Sequence, residues 1–214
     1  SNNLNGTTDF VVLDLEAVVG PKKWGTLLTA DEDDGGYSNT TQFVQVINAF
    51  KLRVEVARAL LPDAKICLFG IPNPTNASFT PPGNTSWMQQ VAGYTHAAQL
   101  GVFDYADYLS PVCYIRYCEA DSVHYTERIQ DMNTYSIQEA QALTNTNGSH
   151  LQVFPYITPT LYNGGSLCNN THITGAQLWQ QIAWIKALNV DNGAVWIGNN
   201  TVPTTQLTIP DYFE

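Results

Sequence analysis

Short unbroken apolar runs alternate with longer stretches whose apolar positions recur every three or four residues, and the two patterns take turns along the chain. The runs lie at 9–15, 65–70, 107–115, 151–157 and 193–198, the first reading DFVVLDL and the last four residues of the fifth VWIG. Such runs mark strands covered on both faces, as in parallel sheets. Helical spacing fills the gaps. Over about 41–61, Phe43, Val46, Ile47, Phe50, Val54, Ala57 and Leu61 keep one face, and Pro62-Asp63 closes the stretch. A second helix is predicted from Ser86, boxed with Gln89, to about 100. A third covers about 121–143 and holds Ser136 and Glu139 at capping-box spacing, and a fourth runs from Thr174, boxed with Gln177, to about 188.

Strands and helices in this alternation make βαβ units, so the fold class is α/β with a parallel sheet. No linker interrupts the pattern, and residues 1–214 read as one domain. A complete (β/α)₈ barrel takes eight strands and about 250 residues. Five units therefore leave two arrangements: an open five-stranded sheet, or a parallel (β/α) barrel-type repeat forming the later five β/α units of a TIM-like barrel. The strand ends favour the second.

In a barrel, chemistry gathers where strands finish. The first strand ends Asp14-Leu15-Glu16. Positions i and i+2 of a strand point the same way, about 6.6–7 Å apart, so both carboxylates aim into the mouth while Leu15 turns to the helices. Two like charges in a half-buried site push one pKa up, and a carboxylic acid that keeps its proton can protonate a leaving oxygen. The alternative for this pair is an Asp capping the next turn and a Glu in solvent. The third strand finishes Val112-Cys113-Tyr114-Ile115-Arg116, the fourth holds Pro155-Tyr156, and the fifth carries Trp196. Aromatic rings at successive strand ends are apolar platforms of the kind that sugar faces stack on, although each ring alone is more often core.

At these points the chain resembles the hyaluronidases, glycoside hydrolases with a distorted β/α barrel. The similarity rests on VVLDLE, on FKLRVEVARALLPDAKICLFGIPNP, on YLSPVCYIR, on VFPYI and on GAVWIG, together spanning most of 9–198. The resemblance implies Glu16 as general acid and Asp14 as the residue that orients a substrate N-acetyl group, itself the nucleophile. It implies Tyr114 near the same acetamido group and Trp196 as a wall of the sugar pocket. Tyr156, Arg116 and Asn73 complete the candidate substrate-binding set. The chain departs from the family in three places. Ala17 and Val18 stand where an aromatic usually follows the acid pair, Asn73-Pro74 replaces a loop Tyr, and the early strands are missing. Chitinase-like barrels share the D-x-E ending and a last-strand Trp, and are also possible relatives.

Composition changes the picture in two ways. A net charge of −10 and a pI near 4.6 exclude nucleic acid and anionic membrane as natural partners, and no apolar run is long enough to span a bilayer. The N-terminal SNNLNGTTDF has no basic region or apolar stretch of a leader, as expected where one has already been removed. The N-x-S/T pattern occurs at Asn5, Asn39, Asn76, Asn84, Asn147, Asn169 and Asn199. Chance would supply about 2.6, so the excess, with an even number of cysteines, points to a secreted glycoprotein. Cys118 and Cys168 fall in loops on one face and are expected to pair; Cys67 and Cys113, in consecutive strands, either pair or stay buried thiols. Scattered histidines give no zinc spacing, and the acidic run 31–34 lacks the alternation of a calcium loop, so no metal or cofactor is expected. Five of the seven sequons follow strands, on the presumed catalytic face. Glycans there would crowd a cleft for long polysaccharide. The rival reading is a non-catalytic structural glycoprotein on a hydrolase-type scaffold, with self-association or a second chain completing the sheet.

Overall fold

The computed structural model describes residues 10–14, 41–72, 85–114, 125–158 and 173–195. In chain order these form β1 (Phe10–Leu13), α1 (Thr41–Leu60), β2 (Lys65–Phe69), α2 (Thr85–Gln99), β3 (Tyr108–Ser110), α3 (Tyr125–Ala142), β4 (Gln152–Val153), β5 (Tyr156–Ile157), α4 (Gly175–Ala187) and β6 (Ala194–Val195). All strand pairs are parallel: β1-β2-β3-β4 make one sheet and β5-β6 another. Among the described residues a single bridge, Val112 to Tyr156, joins them. The alternating α/β order and parallel sheet match the expectation. Among the described residues the strands form an open sheet and do not close into a ring.

The predicted fourth strand is two. Pro155 has no N–H to give a ladder, so β4 stops at Val153 and β5 begins at Tyr156. Around the proline the backbone still bonds across: Phe154 N–H donates to Leu109 O at 2.9 Å and Tyr156 N–H to Pro111 O at 3.0 Å. Pro111 shortens β3 in the same way, and Cys113 N–H reaches Tyr156 O at 2.8 Å beyond it.

Alternation along the strands sorts their side chains onto two faces. Ile66, Leu68 and Leu109 point outward and pack with Phe43, Ile47, Phe50 and Val54 of α1 and with Tyr94, Ala97 and Ala98 of α2. The four α1 residues recur at helical spacing and are at most 1% exposed. Further along, Cys113 and Ile157 point outward into a second cluster with Ile129, Met132 and Ile137 of α3 and Leu178 and Ile185 of α4. Burying one such side chain stabilises the fold by about 1.5–3 kcal/mol.

The Thr174–Gln177 capping box forms as read. Gln177 N–H donates to Thr174 Oγ1 at 3.2 Å and Thr174 N–H to Gln177 Oε1 at 2.8 Å, opening α4. Helix α2 begins at Thr85, so Ser86 is already inside it. The Ser136–Glu139 pair lies within α3, which starts at Tyr125 and runs through both. Helical spacing there is carried by buried Ile129, Met132 and Ile137, and it overrides the local cap signal. Ser136 is buried instead, and burial pushes the Glu139 carboxyl up to about 7.

One polar knot ties the amino-terminal ends of the strands. Asp107 Oδ2 accepts from Ile66 N–H at 2.8 Å and from the Arg58 guanidinium, and its Oδ1 accepts from Lys65 at 3.3 Å. Arg58 also donates to Pro62 O at 3.1 Å, Ala64 O at 2.6 Å and Tyr105 O at 3.3 Å, so one side chain stitches the end of α1 to β2 and β3. Burial alone would raise the Asp107 pKa, but the Ile66, Arg58 and Lys65 hydrogen bonds and the Arg58 charge outweigh it, and the net shift is downward.

The two shifted carboxyls act oppositely on stability. Asp107, depressed in the fold, contributes above its unfolded pKa and loses that contribution as pH falls through the folded value. Glu139, raised in the fold, favours the native state below its unfolded pKa and loses that as pH rises toward about 7. Thermal unfolding across pH will therefore show Asp107→Asn less stable near neutrality, by about 1.5–3 kcal/mol, with the deficit vanishing in acid. Glu139→Gln will match the wild type near pH 4 and exceed it above pH 7, by roughly 2–8 °C in midpoint.

Candidate carbohydrate site at the strand ends

The face of the sheet turned away from the helices carries the candidate site. Phe10 and Val12 of β1, Cys67 and Phe69 of β2, Tyr108 and Ser110 of β3, and Phe154 and Tyr156 near β5 share that face by alternation and register. Its lower part is a floor of rings: Phe10 stands 5.4 Å from Tyr108 and 4.9 Å from Phe154, and Tyr108 is 5.9 Å from Phe154, centroid to centroid. Tilted and edge-on contacts of this kind are the favoured aromatic geometry. Above the floor, Phe69, Val112 and Tyr114 form a buried cluster against which Val12 and Tyr156 pack. The Phe69 and Tyr156 rings meet edge to face at 5.2 Å.

The polar groups lie toward the carboxyl ends of these strands. Asp14 follows Leu13, which pairs with Leu68, so it stands level with Phe69. It has the parity of Phe10 and Val12 and is exposed. Tyr114 is buried, 9% exposed, in the cluster below. Tyr156 is half-buried; burial, with a smaller contribution from Cys67, pushes its hydroxyl pKa upward, so it stays a neutral donor. The structure thus brings Tyr114 and Tyr156 into one cluster and sets Asp14 at the rim of the same face. Glu16, Arg116, Asn73 and Trp196 lie outside the described residues, as do Cys118, Cys168 and the sequons at Asn5, Asn39, Asn76, Asn84, Asn169 and Asn199.

Asn147 is the sequon within the described residues. It is exposed in the 144–150 hairpin, closed by the Thr144–His150 bridge. Its Oδ1 accepts from Ser149 N–H at 3.0 Å, and Asp104 holds the neighbouring Thr146 through contacts at 2.8 and 2.7 Å. The hairpin precedes β4, so Asn147 sits at the end of the sheet opposite Asp14.

Alternation also decides the two cysteines. Cys67 is on the inner face beside Ser110 and Tyr156, whereas Cys113 points outward among Ile129 and Ile157. Thiols on opposite faces cannot be bridged. The disulfide considered for this pair is thus corrected to two buried free thiols. Burial pushes the Cys67 thiol up to about 12, against a smaller downward pull from the Ser110 hydroxyl, and raises Cys113 as well. Among the described residues no cluster of His, Cys, Asp or Glu is arranged to hold a metal.

Sequence reasoning missed the ring floor. Phe10, Tyr108 and Phe154 belong to it because they share the strand parity of Val12 and Tyr156, and that alternation was visible in the apolar runs. Among the described residues burial also raises a carboxyl on a helix, that of Glu139 on α3, to about 7.

Comparison with solved structures places this architecture. Bee venom hyaluronidase in complex with a hyaluronic acid tetramer aligns with a TM-score of 0.55 and 14% identity, over 87% of this chain and 60% of that one. Bee venom hyaluronidase in a monoclinic crystal form aligns with a TM-score of 0.54 and 12% identity, over 89% and 63%. The chain spans about three fifths of the length of these structures. No protein-family model matches it, and neither does any curated protein. At this identity the likeness is one of fold alone: the chain has a fold like that of bee venom hyaluronidase.

Thiol titration checks the site's packing. Ellman's reagent on the native chain will find Cys67 and Cys113 unreactive over hours, and unfolding in denaturant without reductant will release both. Reaction in the native state at a rate like that of free cysteine would contradict the burial of Cys67 under the inner face and of Cys113 under the helices.

Proposed function

We propose that this chain is a glycoside hydrolase-like protein acting on N-acetylhexosamine-containing polysaccharide at the carboxyl ends of its parallel strands. The observation that carries the reading is the joint one: a fold like that of a hyaluronidase bound to a hyaluronic acid tetramer, with Asp14, Tyr114 and Tyr156 rising from one face of the sheet. In this reading Asp14 accepts the N–H of the substrate acetamido group and orients its carbonyl oxygen toward the anomeric carbon. That oxygen forms the new bond as the glycosidic C–O bond breaks, and Glu16 gives its proton to the leaving oxygen. Water then attacks the anomeric carbon as its bond to the acetamido oxygen breaks, restoring the N-acetyl group, and the water's proton goes to Glu16. Tyr114 and Tyr156 donate hydrogen bonds or offer ring faces to the sugar, with Trp196, Arg116 and Asn73 lining the rest. The protein is secreted, its polysaccharide lies outside the cell, and Cys118 pairs with Cys168. The open sheet belongs to a barrel-type scaffold.

The sequon pattern favours a second reading, an N-glycosylated structural glycoprotein that keeps the scaffold without the reaction. Five sequons follow strands, on the side where the cleft opens. Occupied sites at Asn39, Asn76, Asn84, Asn169 and Asn199 would crowd a long polymer, whereas glycans at Asn5 and Asn147 would not.

Reducing-end release from hyaluronan, chondroitin and chitin oligosaccharides separates the two. Glu16→Gln is expected to lower the rate about 10²-fold or more by removing general acid catalysis, and Asp14→Asn to lower it without preventing folding. Equal rates in wild type and Glu16→Gln, or no cleavage by either, would remove the catalytic assignment and leave the structural glycoprotein.

A further inference from the structure

Helix α4 buries one stripe, Leu178, Gln181 and Ile185, at helical spacing. Leu178 and Ile185 pack into the outward cluster with Cys113 and Ile157. Gln181 stands between them, fully buried, where packing alone would choose leucine. Burying a primary amide costs stability unless its groups find hydrogen bonds. Among the described residues the Gln181 Oε1 finds none, whereas its Nε2 donates to Cys113 O. A carbonyl acceptor takes the NH₂ end of the amide, so the partner fixes the side chain's orientation. A polar residue set into an apolar stripe for one hydrogen bond directs attention to what that bond holds.

It holds the peptide unit that leads into Tyr114. Strand β3 ends at Ser110, and Pro111 has no N–H to extend it. Past the proline the chain is tied bond by bond: Val112 N–H donates to Pro72 O at 3.3 Å and Cys113 N–H to Tyr156 O at 2.8 Å. The Cys113 carbonyl lies in the next peptide plane, which also contains the nitrogen and Cα of Tyr114. Anchoring that oxygen therefore sets where Tyr114 leaves the backbone. We propose that Gln181 is a positioning residue for Tyr114. From the helix layer it holds the Cys113–Tyr114 peptide, so that the Tyr114 ring, on the opposite face, stands against Phe69 and Tyr156 with its hydroxyl aimed at the sugar. Cys113 thus indexes both tyrosines, Tyr156 through its N–H and Tyr114 through its carbonyl. The role rests on the glycoside hydrolase reading, in which Tyr114 meets the substrate acetamido group. Gln141 supplies a matched control. Its Nε2 donates to the carbonyl of Leu188 at 2.7 Å, at the C-terminal end of α4, away from the carboxyl ends of the strands.

Oligosaccharide cleavage by the full chain, beside ring-labelled tyrosine NMR without sugar, tests this. Gln181→Met keeps the side chain's length and removes the donor. It is expected to lower kcat about tenfold or more with KM nearly unchanged, and to move the Tyr114 ring resonances while those of Tyr105 stay. Gln141→Met will match the wild type in both readouts. In a Tyr114→Phe background Gln181→Met will cost about twofold at most, because it acts through the missing hydroxyl. Wild-type kcat in Gln181→Met, an unmoved Tyr114 ring, or the full loss repeated in Tyr114→Phe would each overturn the role. A wild type that cleaves no glycan removes the hydrolase reading alone, and the Tyr114 ring then decides the clamp by itself. Gln181→Leu serves if the methionine variant does not fold. In the wild type, the Gln181 amide protons will exchange with deuterium more slowly than those of exposed Gln138; equal rates would overturn the contact itself.

Discussion

The parallel backbone ladder from β1 to β4 governs everything else. Once Phe10–Leu13 lies beside Lys65–Phe69, and that strand beside Tyr108–Ser110, alternation leaves each side chain one of two faces. Ile66, Leu68 and Leu109 must go to the helices, and Val12, Phe69 and Tyr156 must go to the other side. A slip of one residue would send Phe69 into the helix layer and Leu68 into the proposed cleft. The register is held by the outward cluster under α1 and α2 and by the Arg58–Asp107 knot at the amino-terminal ends of the strands.

That division of labour separates stability from chemistry along the strand axis. The charged knot sits where β2 and β3 begin, and the ring floor of Phe10, Tyr108 and Phe154 fills the space above it. Past that floor Ser110, Asp14, Tyr114 and Tyr156 set polar groups on the inner face. A rim of hydroxyls and a carboxylate on an apolar, aromatic base is suited to sugars, which present C–H faces and hydroxyl edges together. The likeness to bee venom hyaluronidase is one of fold.

Much of this was legible in the sequence, for identifiable reasons. The apolar runs and helical spacings gave the α/β alternation and all four described helices, because burial on both faces of a parallel sheet leaves a strong signal. Cys67 and Cys113 stayed undecided between a bridge and buried thiols, since which face each occupied depended on register. Pro155 hid the division of β4 from β5, because the chain bonds across the proline and looks continuous in pattern. The Ser136–Glu139 pair had cap spacing, but helix α3 buries Ser136 and runs on. Local signals lost wherever tertiary packing put a stronger constraint on the same residues. The acid pair is half legible: Asp14 is placed on the inner face by parity, and Glu16 carries the same parity in sequence.

The most direct test of the central claim is ring-labelled tyrosine NMR with a hyaluronan tetrasaccharide added. Binding at the strand ends predicts concentration-dependent shifts of the Tyr114 and Tyr156 resonances, with Tyr105 and Tyr135, on the loop before β3 and on α3, unmoved. Shifts confined to Tyr105 or Tyr135, or no shifts at millimolar sugar, would contradict it.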